Sequence, residues 1–439
     1  MSPELIVYAP ETTNRTRYTF DLFFKESMRL PYKIVNNIDE FNSFDGAKIC
    51  YGSQTMPDEL CFGAVFLLFE KKIRKQEIEV LDYNGYKVFF KVEDEDYALP
   101  YDPFAAAFYL VSRYEEYLPC VKDMYGRYPA EESLAYKNDF LKTPVVNYYI
   151  DEVAEVLKEY FPDIKIERPK YSFTPTYDID SAFAYKNKGL IRNIGGLFKS
   201  LFQGEYNIFS DRIKVYLGLK KDPFDTYDYL LSLHKKNDLE PVFFFLVGEY
   251  GEYDKNISIK ITEFQSLIKS VDDFAKVGIH PSFASNEEPE KLSVEIAQLR
   301  KVLKREITRS RQHFLMLTFP KTYSQLIEND IQADYTMGYA SDIGFRASIC
   351  QPFYFYNLTL ENKTKLLIYP FCIMDACLYY YLKYSPEQAI LACRQIITEV
   401  QKVNGNLITL WHNNSLSDQN EWKGWVKVYE EVVKMALSK

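Results

Sequence analysis

Two aspartates and two histidines beyond residue 172 of this chain each follow a short apolar segment of strand length. They are Asp178, Asp180, His280 and His412. Each aspartate alone could simply cap a helix or shape a turn, and each histidine alone could be structural. Together, however, polar residues at the carboxyl ends of separate parallel strands converge on one edge of a sheet. Such a cluster predicts a divalent-metal site with an acid–base pair.

The chain has only four histidines, and the remaining two stand in different surroundings. His313 lies beside the predicted strand Phe314–Leu317. His234 falls within the predicted helix Asp225–Asn237 and is followed by Lys235, so we expect it on the surface.

The elements that must position these residues alternate between strand and helix from Ser172 onward. The predicted strands are Ser172–Tyr177, Val242–Val247, Val277–His280, Phe314–Leu317, Ala333–Thr336, Leu366–Tyr369 and Leu407–Leu410. The predicted helices are Asp225–Asn237, Ile259–Lys276, Pro289–Ile307 and Pro386–Val403. This alternation predicts an α/β fold with a parallel sheet or barrel.

Alternating strands and helices also fill the first third of the chain. They include a strand over Leu5–Ala9, a helix over Asn14–Arg29, and hairpin strands Val80–Tyr83 and Tyr86–Phe90. Asn84-Gly85, between the hairpin strands, is typical of a type I′ turn. No catalytic constellation occurs here, so we predict a smaller α/β domain of unknown role over 1–168. The boundary falls in the proline-containing segment 161–170, and the second domain covers 169–439.

Composition excludes several classes of function. The net charge of −9 comes from interspersed acidic and basic residues, which argues against a nucleic-acid groove. No apolar stretch approaches the ~20 residues that span a bilayer. The first residues lack a basic segment followed by an apolar one, so we see no signal peptide. The seven cysteines include no Cys-x-x-Cys pair and are expected to be free buried thiols. We therefore predict a cytoplasmic protein, and the oligomeric state stays open.

Four segments resemble motifs of the polysaccharide deacetylase family, carbohydrate esterase family 4, which includes chitin and peptidoglycan deacetylases. They are Thr176-Tyr-Asp-Ile-Asp180, Gly278-Ile-His280-Pro-Ser, Arg311-Gln-His-Phe314 and Leu407-Ile-Thr-Leu-Trp-His412. Their order and spacing are similar to those of the branch with an Asp-x-Asp first motif. The resemblance covers the chain from Ser172 onward and implies a distorted (β/α) barrel over 169–439.

The resemblance also implies a role for each matching residue. Asp178 corresponds to the catalytic base, and Arg311 to the arginine that orients it. Asp180 and His280 correspond to metal ligands, and His412 to the general acid. The implied activity is the metal-dependent removal of an acetyl group from an N-acetylated sugar or polysaccharide, with zinc as the expected metal.

The sequence departs from the family pattern at one metal ligand. The family's second motif supplies two histidines four residues apart, but the position four residues after His280 is Ala284. His313 stands where the family's third motif has proline. One hypothesis is that His313 replaces the missing ligand, giving Asp180, His280 and His313. The alternative is a buried structural histidine bonded to the backbone.

Two further residues are candidates for substrate contact. Arg346, in Gly344-Phe-Arg346, competes with Arg311 for orienting the base and is our candidate for binding substrate, or else it forms a buried ion pair with a loop carboxylate. Trp411 either packs against the sugar or the acetyl methyl, or is a wall residue of the barrel.

Three other functions remain open at this stage. Ala284 is compatible with a catalytically impaired relative that binds glycans without hydrolysing them. An amidase or deformylase acting on a small sugar precursor would use the same residue types. A scaffold protein would instead work through its N-terminal domain.

Overall fold

The computed structural model describes residues 4–188 and 206–438. Its N-terminal part holds a four-stranded parallel sheet in the order β2-β1-β3-β4, and a separate hairpin of β5 and β6. The strands are β1 Leu5–Tyr8, β2 Tyr32–Val35, β3 Ala47–Gly52, β4 Leu60–Gly63, β5 Leu81–Tyr83 and β6 Tyr86–Val88. The hairpin confirms the turn signal, since both Asn84 and Gly85 have positive φ.

Helices pack around this first sheet. The α-helices are α1 Asn14–Phe20, α2 Ile38–Asn42, α3 Pro103–Val111, α4 Leu134–Lys137 and α5 Val145–Tyr160. Helix α1 continues as a π-helical turn over Asp21–Ser27, and 3-10 turns cover Phe66–Phe69, Tyr114–Tyr117 and Ala130–Glu132. Helix α3 begins at Pro103 because the Asp102 carboxylate accepts hydrogen bonds from the first free backbone amides.

The C-terminal part is built on a nine-stranded sheet in the order β12-β13-β11-β10-β9-β8-β7-β15-β14. Its strands are β7 Ser172–Ile179, β8 Val242–Phe245, β9 Lys276–Ile279, β10 Arg309–Ser310, β11 Ala333–Asp334, β12 Phe353–Asn357, β13 Asn362–Ile368, β14 Ile373–Met374 and β15 Asn406–His412. All neighbours pair in parallel except β12 with β13. The α/β prediction is confirmed. Among residues 4–188 and 206–438 no pairing joins β12 to β14, so the distorted barrel stays a prediction.

Seven α-helices accompany this sheet within the described residues. They are α6 Tyr206–Tyr216, α7 Tyr227–Lys236, α8 Thr262–Asp272, α9 Pro289–Leu303, α10 Lys321–Glu328, α11 Pro386–Lys402 and α12 Trp425–Leu437. Shorter turns cover Ala284–Asn286, His313–Leu315, Cys377–Tyr381, Ser415–Ser417 and Asn420–Trp422. The central strand β8 is buried at every residue, as its apolar sequence requires.

The register of the central strands places their polar ends side by side. His412 of β15 pairs with Asp178 of β7, and Ser310 of β10 pairs with Ile279 of β9. His280 follows β9 directly, and Arg311 follows β10 directly. These two residues therefore leave the sheet side by side. Parallel pairing thus delivers these side chains to one edge.

A continuous apolar core joins the two sheets. Ion pairs also cross between them, including Arg15 with Glu361 and Arg346 with Glu116. Because the two parts share one core, the division into domains at residue 168 stays a prediction.

Two local expectations are wrong. Phe314–Leu317 is not a strand, because Phe314 and Leu315 have φ values of 57° and 55° and form a tight turn. His234 is only 3% exposed rather than on the surface. Its ring lies 2.6 Å from the Tyr177 hydroxyl.

The expectation of seven free thiols is also wrong for one pair. Cys50 and Cys61 lie opposite each other on β3 and β4 and form a disulfide. The other five cysteines are free. In the described part of the chain, no helix is long and apolar enough to cross a membrane. The cytoplasmic location stays a prediction.

Candidate metal and acid–base site

Asp180, His280 and His313 bring one ligand atom each to a common point. These three atoms all lie within 4.8 Å of one another. His280 Nε2 is 3.2 Å from Asp180 Oδ1, and His313 Nε2 is 3.7 Å from Asp180 Oδ2. Both imidazoles are buried, whereas the Asp180 side chain is 38% exposed and opens the group to solvent.

Both imidazoles are oriented by acceptors on their far side. His280 Nδ1 lies 2.5 Å from the Arg311 carbonyl oxygen, and His313 Nδ1 lies 2.8 Å from Asp254 Oδ1. Since these oxygens accept, each Nδ1 carries a hydrogen, and the Nε2 atom that faces Asp180 is the one that could bind a metal after losing its own proton. Metal-binding histidines typically have this arrangement.

The turn after β10 explains how His313 reaches the group. The backbone N–H of His313 donates to the carbonyl of Pro281 at 3.1 Å, which lays this turn against the loop after β9. The left-handed residues Phe314 and Leu315 then reverse the chain. Ala284 contributes only its backbone N–H, which donates to Asp254.

A second arrangement orients Asp178. Arg311 Nη1 donates to Asp178 Oδ1 at 3.0 Å, while Nη2 donates to Thr176 Oγ1 and Nε to the Tyr335 carbonyl. Both Asp178 and Arg311 are buried. The second oxygen of Asp178 lies 3.7 Å from His280 Nε2, which places this carboxylate beside the metal-binding group.

His412 faces the same group from β15. Its Nδ1 lies 2.7 Å from Asp375 Oδ1, and its backbone N–H donates to Asp375 Oδ2 at 2.7 Å. Its Nε2 points inward, 3.8 Å from Asp180 Oδ2. A carboxylate behind Nδ1 fixes the ring and favours the protonated form, which suits a proton donor.

The site carries an excess of negative charge. Burial alone would lower the pKa of His313, but Asp180 and Asp254 raise it to about 9. Burial would likewise lower the pKa of His412, but Asp375 and Asp180 raise it to about 10. The pKa of Asp180 falls well below its usual value because the histidines outweigh the effect of burial.

The donor set fits a divalent cation. Two imidazole nitrogens and a carboxylate are common zinc ligands, and three protein ligands leave a coordination position open. Asp180 Oδ1 is a buried oxygen without a hydrogen-bond partner. A buried acceptor of this kind has an unmet need for a donor or a cation.

Two candidate substrate contacts lie elsewhere. Arg346 is buried, with Nε and Nη2 donating to the two carboxylate oxygens of Glu116 at 2.9 and 2.6 Å. Trp411 is also fully buried and packs edge-on against Tyr429. These positions match the structural alternatives, a buried ion pair for Arg346 and a wall residue for Trp411, and substrate contact by either residue stays a prediction.

Sequence reasoning missed the role of two orienting carboxylates. Asp375 follows the short strand β14, which gives it the same signal as His280 or His412. Asp254 lies in a loop beyond β8 that also contains Glu249 and Glu252, so residue type alone does not single it out.

Comparisons with known proteins do not establish a function for this chain. Residues 5–162 match a family of unknown function, DUF7033. No curated protein matches the chain. One similar solved structure is a Mycobacterium smegmatis protein assigned as a polysaccharide deacetylase, at 13% identity and a TM-score of 0.38, covering 61% of this chain and 85% of that one.

Two further structures have lower TM-scores. The chitin deacetylase of the fungal pathogen Colletotrichum lindemuthianum matches at 13% identity and a TM-score of 0.30, covering 61% of this chain and 84% of its own. A CE4 family pseudoenzyme from Bacillus anthracis matches at 10% identity and 0.26, covering 60% and 61%. Likenesses this weak carry no functional argument.

Proposed function

We propose that this protein is a metal-dependent hydrolase that removes an acetyl group from an N-acetylated sugar or polysaccharide. The observation that carries the proposal is the meeting of Asp180, His280 and His313 between two oriented groups, Asp178 and His412. A purely structural cluster has no need for a base, a ligand set and an acid around one open point.

Asp180, His280 and His313 would hold the metal. Zinc is our proposed ion, because two imidazoles and one carboxylate form one of its common catalytic ligand sets. When bound, the ion supplies Lewis-acid polarisation of the amide carbonyl and acidifies water.

Asp178 acts as the general base. Arg311 holds its Oδ1, so Oδ2 is the oxygen available to accept a proton from the attacking water. The water oxygen bonds to the acetyl carbon, and the carbon–nitrogen bond then breaks. His412 Nε2 donates the proton that the leaving nitrogen requires, while Asp375 holds the ring in place. The products are a free amine and acetate.

Half-exposed aromatic rings beside His313 support a carbohydrate substrate. The Phe314 ring centroid lies 4.8 Å from the His313 ring, and the rings of Phe283 and Tyr253 pack against Phe314 at 5.5 and 5.6 Å. Tyr253 is 38% exposed. Aromatic side chains with a few convergent polar groups are typical of small-molecule sites.

Metal content tests the proposal without a choice of substrate. Purified protein should bind zinc in a one-to-one ratio, and both Asp180→Ala and His280→Ala should lose it. Asp211→Ala, which removes a surface carboxylate paired with Lys220, is the matched control and should keep the metal. Failure of the wild-type protein to bind added zinc would exclude the hydrolase and favour the glycan-binding alternative.

Substrate screening follows once metal binding is established. Acetate release from N-acetylglucosamine, its oligomers and soluble sugar precursors should be detectable, and Asp178→Asn should abolish it. Formate release from N-formyl analogues, without any acetate release, would favour a deformylase over a deacetylase.

A further inference from the structure

A short turn from the N-terminal part of the chain reaches the candidate site. This 123–127 turn, Asp123-Met-Tyr-Gly-Arg127, is closed by its own hydrogen bonds. Asp123 Oδ1 accepts from the backbone N–H groups of Tyr125 and Arg127, each at 2.9 Å, and Gly126 takes a positive φ. These bonds give the turn a defined shape from which its arginine projects.

The Arg127 guanidinium is buried and makes three hydrogen bonds, each to a different segment. Nε donates to Asp123 Oδ2 at 2.7 Å within its own turn. Nη1 donates to the carbonyl of Phe314 at 2.9 Å, and Nη2 donates to the Tyr381 hydroxyl at 2.9 Å. A planar arginine fork can satisfy several acceptors in fixed directions, which a lysine cannot do.

The first of the two distant contacts bears directly on His313. Phe314 is the next residue, and its left-handed backbone is one that non-glycine residues adopt only when their surroundings hold it. The Arg127 bond to its carbonyl and the Tyr125 ring, whose centroid is 5.2 Å from the Phe314 ring, both restrain this conformation.

The second distant contact reaches the segment that carries Asp375. Tyr381 ends the turn Cys377–Tyr381, which begins two residues after Asp375. Asp375 in turn holds His412. One buried guanidinium therefore connects the backbone beside a candidate metal ligand with the segment that supports the candidate acid.

We infer that Arg127 is a positioning residue, which holds the turn after β10 so that His313 Nε2 stays within reach of the metal. The inference rests on the proposed function. It assigns to the N-terminal part of the chain a contribution to the site, since Arg127 lies within residues 5–162. Outer groups that orient ligands typically change metal affinity by 10–100-fold when removed.

The test is zinc affinity measured by competition with a chromogenic chelator. We expect Arg127→Ala to weaken zinc binding on the order of tenfold. The absorption spectrum of the cobalt-substituted protein should also change, because the ligand field depends on how His313 is held. Arg305→Ala, which breaks an ion pair with Asp272 away from the site, is the matched control and should change neither property.

A double substitution tests whether Arg127 acts through His313. In a His313→Ala background, Arg127→Ala should cause no further loss of zinc affinity, because the ligand that it positions is already absent. Equal losses in both backgrounds would overturn the inference, as would wild-type affinity and an unchanged cobalt spectrum in Arg127→Ala.

Folding is followed by circular dichroism of the metal-free proteins. If Arg127→Ala does not fold, Arg127→Gln takes its place under the same criteria, because its shorter amide cannot reach both Phe314 and Tyr381. Absence of zinc from the wild-type protein would instead contradict the proposed function, so the two failures are distinguishable.

Discussion

The two parallel sheets of this protein end very differently. Strands β1 to β4 of the N-terminal sheet end at Tyr8, Val35, Gly52 and Gly63. In the C-terminal sheet, β15 ends at His412, and His280 directly follows β9. Asp178 and Asp180 lie at the end of β7. A parallel sheet therefore provides an edge where side chains can meet, but only the residues at its strand ends make that edge chemically active.

One aspartate from each part shows the same difference. Asp102 accepts four hydrogen bonds: from the Tyr51 hydroxyl and from the backbone N–H groups of Val65, Phe104 and Ala105. Its acceptor capacity is largely used in joining β3, β4 and α3. Asp180 Oδ1, by contrast, has no hydrogen-bond partner. A carboxylate that is already satisfied holds structure together, and one left unsatisfied is available to a ligand.

The largest effect is expected from substitutions that remove the proposed base or the proposed acid. Asp178→Asn and His412→Ala should each lower the rate of acetate release by about 10²–10⁴-fold, because proton transfer in the transition state is lost. Zinc content should stay near one per chain in both variants. Asp102→Asn, measured as folded protein, should keep wild-type kcat; a comparable loss of kcat there would remove the distinction between the two sheets.

A smaller effect is expected from substitution of a residue that orients a metal ligand. Asp254→Asn should weaken zinc binding by about 10–100-fold, since the carboxylate orients His313 through its Nδ1. His313→Ala should weaken it at least as much. Competition with a chelator measures both constants. Wild-type affinity in His313→Ala would show that this histidine is structural.

The strand ends were predictable because their signal is local. An apolar run followed at once by a polar residue marks the end of a buried parallel strand, and this placed Asp178, His280 and His412 correctly at one edge. Asp375 carried the same signal behind a strand of only two residues, which is too short for periodicity to reveal.

The remaining contacts depend on partners distant in sequence. Phe314–Leu317 has the composition of a strand, and nothing local indicates that its first two residues are left-handed. Arg346 is buried because Glu116, 230 residues away, pairs with it. For His234 a local signal existed. Tyr227, Leu230 and His234 share one face of α7 by their spacing, and that face packs on the core.

Stability, rather than zinc affinity, should reveal the structural role of the satisfied aspartate. Asp102→Ala should lower the free energy of unfolding by about 4 kcal/mol, because it removes a helix cap and leaves buried donors unpaired. Zinc affinity of the folded fraction should not change. Urea denaturation of metal-free protein measures the first quantity, and chelator competition the second. A loss of zinc affinity would mean that the N-terminal sheet supports the site through Asp102.

A further effect, on stability in acid, concerns the histidine that lies outside the site. His234 is buried against Tyr177 and Tyr429, and burial lowers its pKa to about 4. Both tyrosines have raised pKa values, chiefly through burial, and stay neutral, so no charge compensates a protonated ring. Below the ordinary histidine pKa of ~6.5, His234 binds a proton in the unfolded chain but not in the folded chain. Stability must therefore fall as the pH drops from that value towards about 4.

Replacing His234 should flatten this dependence and leave zinc binding unchanged. Between pH 7 and pH 4.5, wild-type protein should lose roughly 2.5 kcal/mol more unfolding free energy than His234→Gln, as measured by urea denaturation without metal. The same variant should bind zinc as the wild type does at pH 7, in contrast to His280→Ala. Equal acid sensitivity in both proteins would place the titrating group elsewhere. A histidine near the sheet then affects stability alone, and a histidine at the sheet's carboxyl edge affects metal binding.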